Sequence, residues 1–259
     1  MLESLESRKL LSASLNAEGL LVVEGTAGND NIVVRRDGTK VFVNINDQPR
    51  REFSHDAVKA IRIFGLGGND RLEERELNRP STIYGGAGND SMFGSAGNDV
   101  FYGGDGNDNM DGRLGGDQFN GGGGIDAVNY ESRTTRVVVS MDGNFNDGTP
   151  GEGDRPGERD NVKKDIEVLF GGQGNDTLYG NELANRIGGG GGNDTVWAGA
   201  GNDTLIGGPG EDKLYGQDGN DTFLTRGDGS RDSLFGGSGE DRANKDEIDV
   251  RESVEVLFT

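Results

Sequence analysis

Nine residues recur along this chain in constant phase, and that period limits the fold more than any other feature. GGAGNDSMF (85–93) runs without a gap into GSAGNDVFY, GGDGNDNMD, GRLGGDQFN and GGGGIDAVN, ending at Asn129. A second run begins with GGQGNDTLY (171–179) and reaches Leu224 through GGGGNDTVW, AGAGNDTLI, GGPGEDKLY and GQDGNDTFL. Glycine occupies positions 1, 2 and 4 of the unit, aspartate position 6 and an apolar residue position 8. A chain whose every ninth residue meets the same surroundings must wind as a solenoid, each coil packed on its neighbours. One glycine-rich nonamer could arise from composition; a run held in phase does not.

Composition sets the second limit. Of 259 residues 48 are glycine and only 31% are hydrophobic, while the formal net charge is −20. So little apolar material with so much negative charge cannot support a conventional core. Bound cations would neutralise the carboxylates and tie the turns together. The same charge repels phosphate and argues against a nucleic-acid partner. There is no cysteine, hence no disulfide framework and no thiolate metal site. No run approaches the roughly 20 apolar residues of a membrane span.

Residues 1–17 read as a leader-like, export-associated segment. Arg8 and Lys9 precede an apolar stretch that breaks at 16–19, which is poor for a secretory signal peptide. Residues 18–64 read as a small β-rich cap: LLVVE, a lone nonapeptide GTAGNDNIV (25–33), KVFVNI and AIRIF. Val41, Val43 and Ile45 alternate with polar residues there, as do Ile61 and Ile63. GLGGNDRLE (65–73) opens the first repeat block, 65–130. Asp70 to Asp90 is a step of twenty residues, two nonapeptides plus two, so 74–84 is expected to be a turn of the same solenoid without its aspartate. Residues 131–170 interrupt the array with VVVSM (137–141), an acidic Gly-rich loop and IEVLF (166–170). The second block spans 171–244. Residues 245–259 end in VEVLF (254–258), an echo of IEVLF, read as a capping strand or as the point from which a longer array continues.

Calcium takes six to eight hard oxygen ligands in a flexible shell. The nonapeptide can present them from one short turn. Glycine permits positive φ and, lacking Cβ, lets backbone carbonyls converge, while the aspartate adds a carboxylate. The residue at position 8 then starts a short strand and points inward. Two nonapeptides complete a coil, so equivalent residues on one edge lie 18 apart, stacked at roughly the 4.8 Å strand spacing. In this register Met92, Met110 and Val128 stack on one sheet, and Phe101 with Phe119 on the other. Later, Leu178, Val196 and Leu214 face Ile187, Leu205 and Phe223.

These residues resemble the RTX, or hemolysin-type, calcium-binding repeats over 65–130 and 171–244, with a single copy at 25–33. The resemblance implies an all-β fold: a parallel β-roll, a two-sheet right-handed solenoid, here with a small β-rich N-terminal cap. It implies multiple Ca2+ ions, held between turns by aspartates and turn carbonyls of repeats 18 residues apart. Carried over, Asp90, Asp108 and Asp126 share one edge of the first block, and Asp99 and Asp117 the other. In the second block Asp176, Asp194 and Asp212 share an edge, and Asp203 and Asp221 the opposite one with Asn185. Asp232 and Asp241 extend the two edges after a two-residue insertion. The site at Asn185 is expected to be weak or empty. Asp30 and Asp70, with no partner 18 residues away, are expected to lack full coordination.

By the same resemblance, such chains leave bacteria unfolded through a type I channel and fold where calcium is plentiful. That implies a secreted or cell-surface protein with affinities on the order of 10⁻⁴–10⁻³ M. LESRKLLSA (5–13) is similar to the LEPR-x-L-L motif of large bacterial exported proteins, with Ser7 in place of its proline. Two roles stay open. One is a structural or adhesive protein that binds a surface polymer, a glycan or a protein partner. The other is the accessory repeat part of a larger exported enzyme or toxin. The first is preferred, and no catalytic activity is expected, because neither 1–64 nor 130–170 is large enough or suitably equipped.

Other features weigh less. Tyr179, Trp197, Tyr215 and Phe235 would form one outward aromatic row, either a cross-strand ladder or a stacking platform for a ligand. Asp142, Asn144, Asn146, Asp147 and Gly148 come close to the opening of an EF-hand loop, but Gly153 stands where its twelfth-position glutamate belongs, so a solvated acidic loop competes with an extra ion. His55 is the only histidine, which removes HExxH zinc motifs and histidine-rich metal clusters. Apparent G-x-G-x-x-G matches fall inside the repeats and lack a βαβ context.

Overall fold

Three residues of strand with an apolar residue in the middle give one inward side chain, and flanking glycine turns keep the strand from lengthening. Ser91–Phe93, Asn109–Asp111, Thr204–Ile206 and Thr222–Leu224 are such strands, each burying its middle residue. On the facing sheets the strands are longer, as in Val100–Asp105 and Lys213–Asp218, because the first three turn residues stay in the strand. The computed structural model describes residues 11–144, 146–149, 159–225, 227, 229–244, 246, 248–254 and 256–257, none of them helical. They form a parallel β-roll in two units divided after Asp126.

In the first unit one sheet runs in the order Ser12–Leu15, Leu20–Glu24, Ala60–Gly67, Ser81–Ala87, Val100–Asp105 and Gln118–Gly123. The facing sheet runs Arg51–Ser54, Lys40–Ile45, Asn31–Asp37, Arg71–Arg75, Ser91–Phe93 and Asn109–Asp111. Within the repeats the register is the expected 18: Val100 sits opposite Thr82 and Gln118. Before them it is longer, with Ile61 opposite Ser81 and Asn31 opposite Arg71.

The segment expected as a separate cap, 18–64, is therefore itself wound into the roll. Leu20–Glu24 is parallel to Ala60–Gly67, and Asn31–Asp37 to Arg71–Arg75. The extra residues leave as an antiparallel excursion, Lys40–Ile45 and Arg51–Ser54, added beside Asn31–Asp37. Part of the leader-like segment also belongs to the fold: Ser12–Leu15 pairs antiparallel with Leu20–Glu24. Both outer strands at this end are short and antiparallel, which covers edges that would otherwise template further pairing. Most of the LEPR-like segment, 5–10, lies outside the described residues.

In the second unit one sheet runs Val138–Ser140, Thr177–Tyr179, Thr195–Ala200, Lys213–Asp218, Ser233–Ser238 and Val250–Glu252. The other runs Ala127–Asn129, Val168–Phe170, Arg186–Gly188, Thr204–Ile206, Thr222–Leu224, Arg242–Asn244 and Val256–Leu257. The two strands expected around the insert are present, but 245–259 differs from a single capping strand. Val250–Glu252 and Val256–Leu257 place one strand on each sheet, continuing the winding.

The core is a row of single side chains on each sheet. Met92, Phe101, Met110 and Phe119 are buried in the first unit; Val128, Leu178, Ile187, Val196, Leu205, Leu214 and Phe223 are buried in the second. Phe101 stacks on Phe119 with centroids 5.1 Å apart. The outward row also exists: Tyr179, Trp197, Tyr215 and Phe235 stack face to face at 4.8, 5.3 and 4.5 Å. A second row, Phe64, Tyr84 and Tyr102, was not apparent in the sequence. Rings packed on each other this way have few free faces for a sugar or another ring, so the geometry favours the cross-strand ladder.

Interior and surface aromatics should therefore differ in weight. Phe101→Ala is expected to cost about 3–5 kcal/mol as a core truncation. Trp197→Ala is expected to cost about 1–3 kcal/mol, for two lost stacks. Urea unfolding in saturating calcium measures both, and equal losses would contradict this picture of the core.

Candidate metal centre

Two adjacent side chains in each turn tie the coils together in opposite directions. Aspartate Oδ1 at position 6 accepts the backbone N–H of the aspartate one coil earlier. Asp30 donates to Asp70 at 2.7 Å, Asp70 to Asp90 and Asp90 to Asp108 at 2.8 Å, and Asp108 to Asp126 at 2.9 Å. On the other edge Asp99 donates to Asp117. In the second unit one ladder runs Asp176, Asp194, Asp212, Asp232, Asp249. The other runs Asn185, Asp203, Asp221, Asp241. Asparagine at position 5 reaches the other way: Asn89 N–H donates to Asn69 Oδ1, Asn107 to Asn89, and Asn193 to Asn175.

All twelve aspartates expected from the sequence lie in these ladders. Three more join them. Asp30 and Asp70 were discounted for lacking a partner at 18, but their excursions loop out of the coil and leave the turns stacked. Asp249 had no nonapeptide around it to mark it. The position-5 asparagines carried a visible signal, the recurring Asn-Asp pair, whose meaning only the geometry supplies.

The second carboxylate oxygen divides these residues. Oδ2 of Asp70, Asp90, Asp108, Asp194, Asp203 and Asp221 is buried without a hydrogen-bond partner. At the start of a ladder it is closed by its own turn instead. Asp30 Oδ2 accepts Thr26 N–H at 2.6 Å and its hydroxyl at 2.9 Å, Asp99 Oδ2 accepts Ser95 N–H at 3.2 Å, and Asp176 Oδ2 accepts Gly172 N–H at 2.6 Å. Asn185 uses its amide oxygen likewise, on Asn181 N–H. Asp249, at the far end, accepts from Asp246 N–H and the Thr225 hydroxyl.

Glycine at position 1 shapes the space beside most of the open oxygens, while the turn of Asp203 has Ala198 there. A Cβ on Gly85 would meet Asp90 Oδ2 and lie 2.6 Å from the Gly103 carbonyl oxygen of the next coil. Position 4 needs both positive φ and close approach: Gly106 has φ 132°, and a Cβ there would collide with the Gly88 carbonyl. An unpaired buried carboxylate oxygen, a neighbouring carbonyl and a gap that a methyl group would fill make an oxygen-only donor set. Among the described residues no three His, Cys, Asp or Glu side chains converge, so further ligands would come from the backbone. A hard, flexibly coordinated cation such as Ca2+ accepts that set; a thiolate- or imidazole-seeking metal does not.

Burial opposes the charge these groups carry. Desolvation pushes Asp70, Asp194 and Asp203 up to about 7, and Asp108 and Asp221 up to about 6, from an ordinary 3.8. Neighbouring ladder carboxylates add to the rise, while the backbone N–H bonds reduce it.

The family model of the RTX calcium-binding nonapeptide repeat (four copies) matches residues 84–119, 93–128, 165–196, 188–223 and 226–243. These spans are RTX calcium-binding repeats. They bind multiple Ca2+ ions. No curated protein matches the chain. The matched spans hold the regular nonapeptides and leave out Asp30, Asp70 and Asp249.

The EF-hand-like stretch does different work. Asp147 is buried, and its two oxygens accept Ser140 N–H at 2.7 Å and Val162 N–H at 3.1 Å. Asp142 accepts Asn144 N–H at 2.8 Å. Asp147 thus clips two strand ends together. Phe145 and residues 150–158, including Gly153, lie outside the described residues.

A raised folded-state pKa means the folded, metal-free chain holds its protons more tightly than the unfolded chain. The stability that follows is complete below the unfolded value near 3.8 and is lost as pH rises through about 6–7. In chelator, strand content is expected to fall between about pH 4 and pH 7.5, and in excess calcium it should not. Circular dichroism across that range tests this; a metal-free chain more ordered at the alkaline end would contradict it.

Proposed function

We propose that this chain is a secreted or cell-surface structural repeat protein that folds when calcium fills the turns of its roll. The observation that carries the reading is the set of buried Oδ2 atoms without a hydrogen-bond partner, those of Asp70, Asp90, Asp108, Asp194 and Asp221 beside a glycine carbonyl of the next coil. Within the expected set, Asp90, Asp108, Asp194, Asp203 and Asp221 are the ligands best supported, together with Asp70 from outside it. Asp117, Asp126, Asp212, Asp232 and Asp241 occupy equivalent ladder positions and are read the same way. Asp99 and Asp176, closed by their own turns, hold an ion through shared oxygens or bind it more weakly.

Calcium supplies charge neutralisation and a bridge between successive turns. The protein supplies the rest: glycine keeps the gap open, the asparagine and Asp Oδ1 bonds set the coil spacing, and Oδ2 faces the gap. Without the ion, adjacent buried carboxylates repel, and one thin row of side chains on each sheet offsets little of the chain entropy, roughly 1–2 kcal/mol per residue. Low calcium would keep the chain unfolded, and a calcium-rich exterior would fold it. No helix among the described residues is long and apolar enough to cross a membrane.

Strand content is expected to rise several-fold from chelator to millimolar calcium. Equal circular dichroism spectra in the two conditions would end this reading. In calorimetric titration Asp108→Asn and Asp203→Asn should each lose an ion, whereas Asp30→Asn, whose oxygens are already bonded, should not.

A further inference from the structure

On one edge of the first unit, the coil before Asp99 lacks its aspartate. Ser81 stands at that position, 18 residues before Asp99, and keeps the ladder bond: Ser81 N–H and hydroxyl both donate to Asp99 Oδ1, at 2.9 and 2.8 Å. Another carboxylate comes to the same place. Glu74, on strand Arg71–Arg75, lies opposite the buried Val34 and is itself fully buried. The charges of Asp99 and Arg113 act on it, and the Ser81 hydroxyl lies within hydrogen-bonding reach of it.

Neither carboxylate oxygen of Glu74 has a hydrogen-bond partner. The single Ser81 hydroxyl proton is already given to Asp99. Arg113 gives one amino group to Glu73 Oε1 at 2.9 Å and the other to the Glu74 main-chain oxygen at 2.7 Å, not to the Glu74 side chain. Arg71 and Arg75 are bonded to Glu73 as well. Adjacent glutamates are therefore treated oppositely: Glu73 is covered by three arginines, and Glu74 receives none. A buried acid with two unsatisfied oxygens is costly unless something charged meets it.

We infer that Glu74, Asp99 and Ser81 form a calcium site outside the nonapeptide pattern, with Glu74 supplying the carboxylate that its coil lacks. The inference rests on the reading of the aspartate ladders as calcium ligands. The glutamate enters from the strand that precedes the turn, where the regular aspartate would enter from the turn itself. Its longer side chain reaches the edge from within the roll. Ser81 keeps a hydroxyl oxygen with free lone pairs at the place the missing carboxylate would hold. The effect is to start the ladder of this edge one coil earlier than the repeats do.

Calorimetric calcium titration of the whole chain tests this. Glu74→Gln keeps the shape and removes the charge, and it should bind one ion fewer than the parent with unchanged strand content in saturating calcium. A parent-like count in Glu74→Gln, with Asp108→Asn still losing an ion, would overturn the Glu74 site alone. Parent-like counts in both variants would overturn the ladder reading beneath it. If Glu74→Gln does not fold, the double variant Glu74→Gln/Ser81→Asp decides, because it restores the regular aspartate. Recovery of folding and of the ion supports the site; a double variant that stays unfolded overturns it.

Discussion

Like charges held one coil apart are the constraint on which this structure depends. Two carboxylates separated by about 5 Å at an effective dielectric near 20 repel by about 3 kcal/mol. The ladders repeat that arrangement along every edge, inside turns that exclude water from one oxygen of each pair. In the first unit Arg71, Arg75 and Arg113 gather on Glu73 and not on the ladder. The fold is thus written for a cation from outside.

The remaining features of the repeat follow from bringing turns that close. Position 1 is glycine in most turns, where a side chain would crowd the gap between Oδ2 and the next carbonyl, and Ala198, in the turn of Asp203, is an exception. Position 2 is less strict: Leu66, Arg113 and Gln217 occupy it with φ of 81°, 62° and 78°, accepting a left-handed backbone that glycine adopts more easily. Arg113 gains something in return, since from there its guanidinium reaches Glu73 and the Glu74 carbonyl. Asparagine and aspartate at positions 5 and 6 then bond in opposite directions, so each turn is fixed from both sides.

The period, the inward rows and the placement of twelve aspartates were legible because they depend only on counting by nine. What counting missed has a common cause. Asp30 and Asp70 are separated from their partners by 40 and 20 residues, and nothing local shows that the intervening chain leaves and returns. The cap at 18–64 was recognised as β-rich but not as part of the winding, because its antiparallel excursion hides the parallel pairing beneath. Phe64, Tyr84 and Tyr102 are spaced 20 and then 18, so their ladder escaped a search at constant phase. Glu74 was invisible for a different reason. Its role depends on Ser81 and Asp99 across the coil, and no motif connects them.

In a solenoid each coil interacts with its neighbours alone, so stability is a sum of local terms and an insertion costs only loop closure. That explains how the second unit tolerates the residues between Asn129 and Val168 while Ala127–Asn129 still pairs in register with Val168–Phe170. It also explains why the first carboxylate of a ladder is treated differently. Asp30, Asp99 and Asp176 have no aspartate N–H feeding them from a preceding coil, and their own turns close Oδ2 with a backbone N–H. Such a turn is satisfied before any ion arrives. Interior turns such as those of Asp90, Asp108 and Asp194 keep an open Oδ2, and Asp249 at the far end of its ladder is closed again by Asp246 N–H and the Thr225 hydroxyl, so in that ladder the open oxygen of Asp194 lies between closed turns.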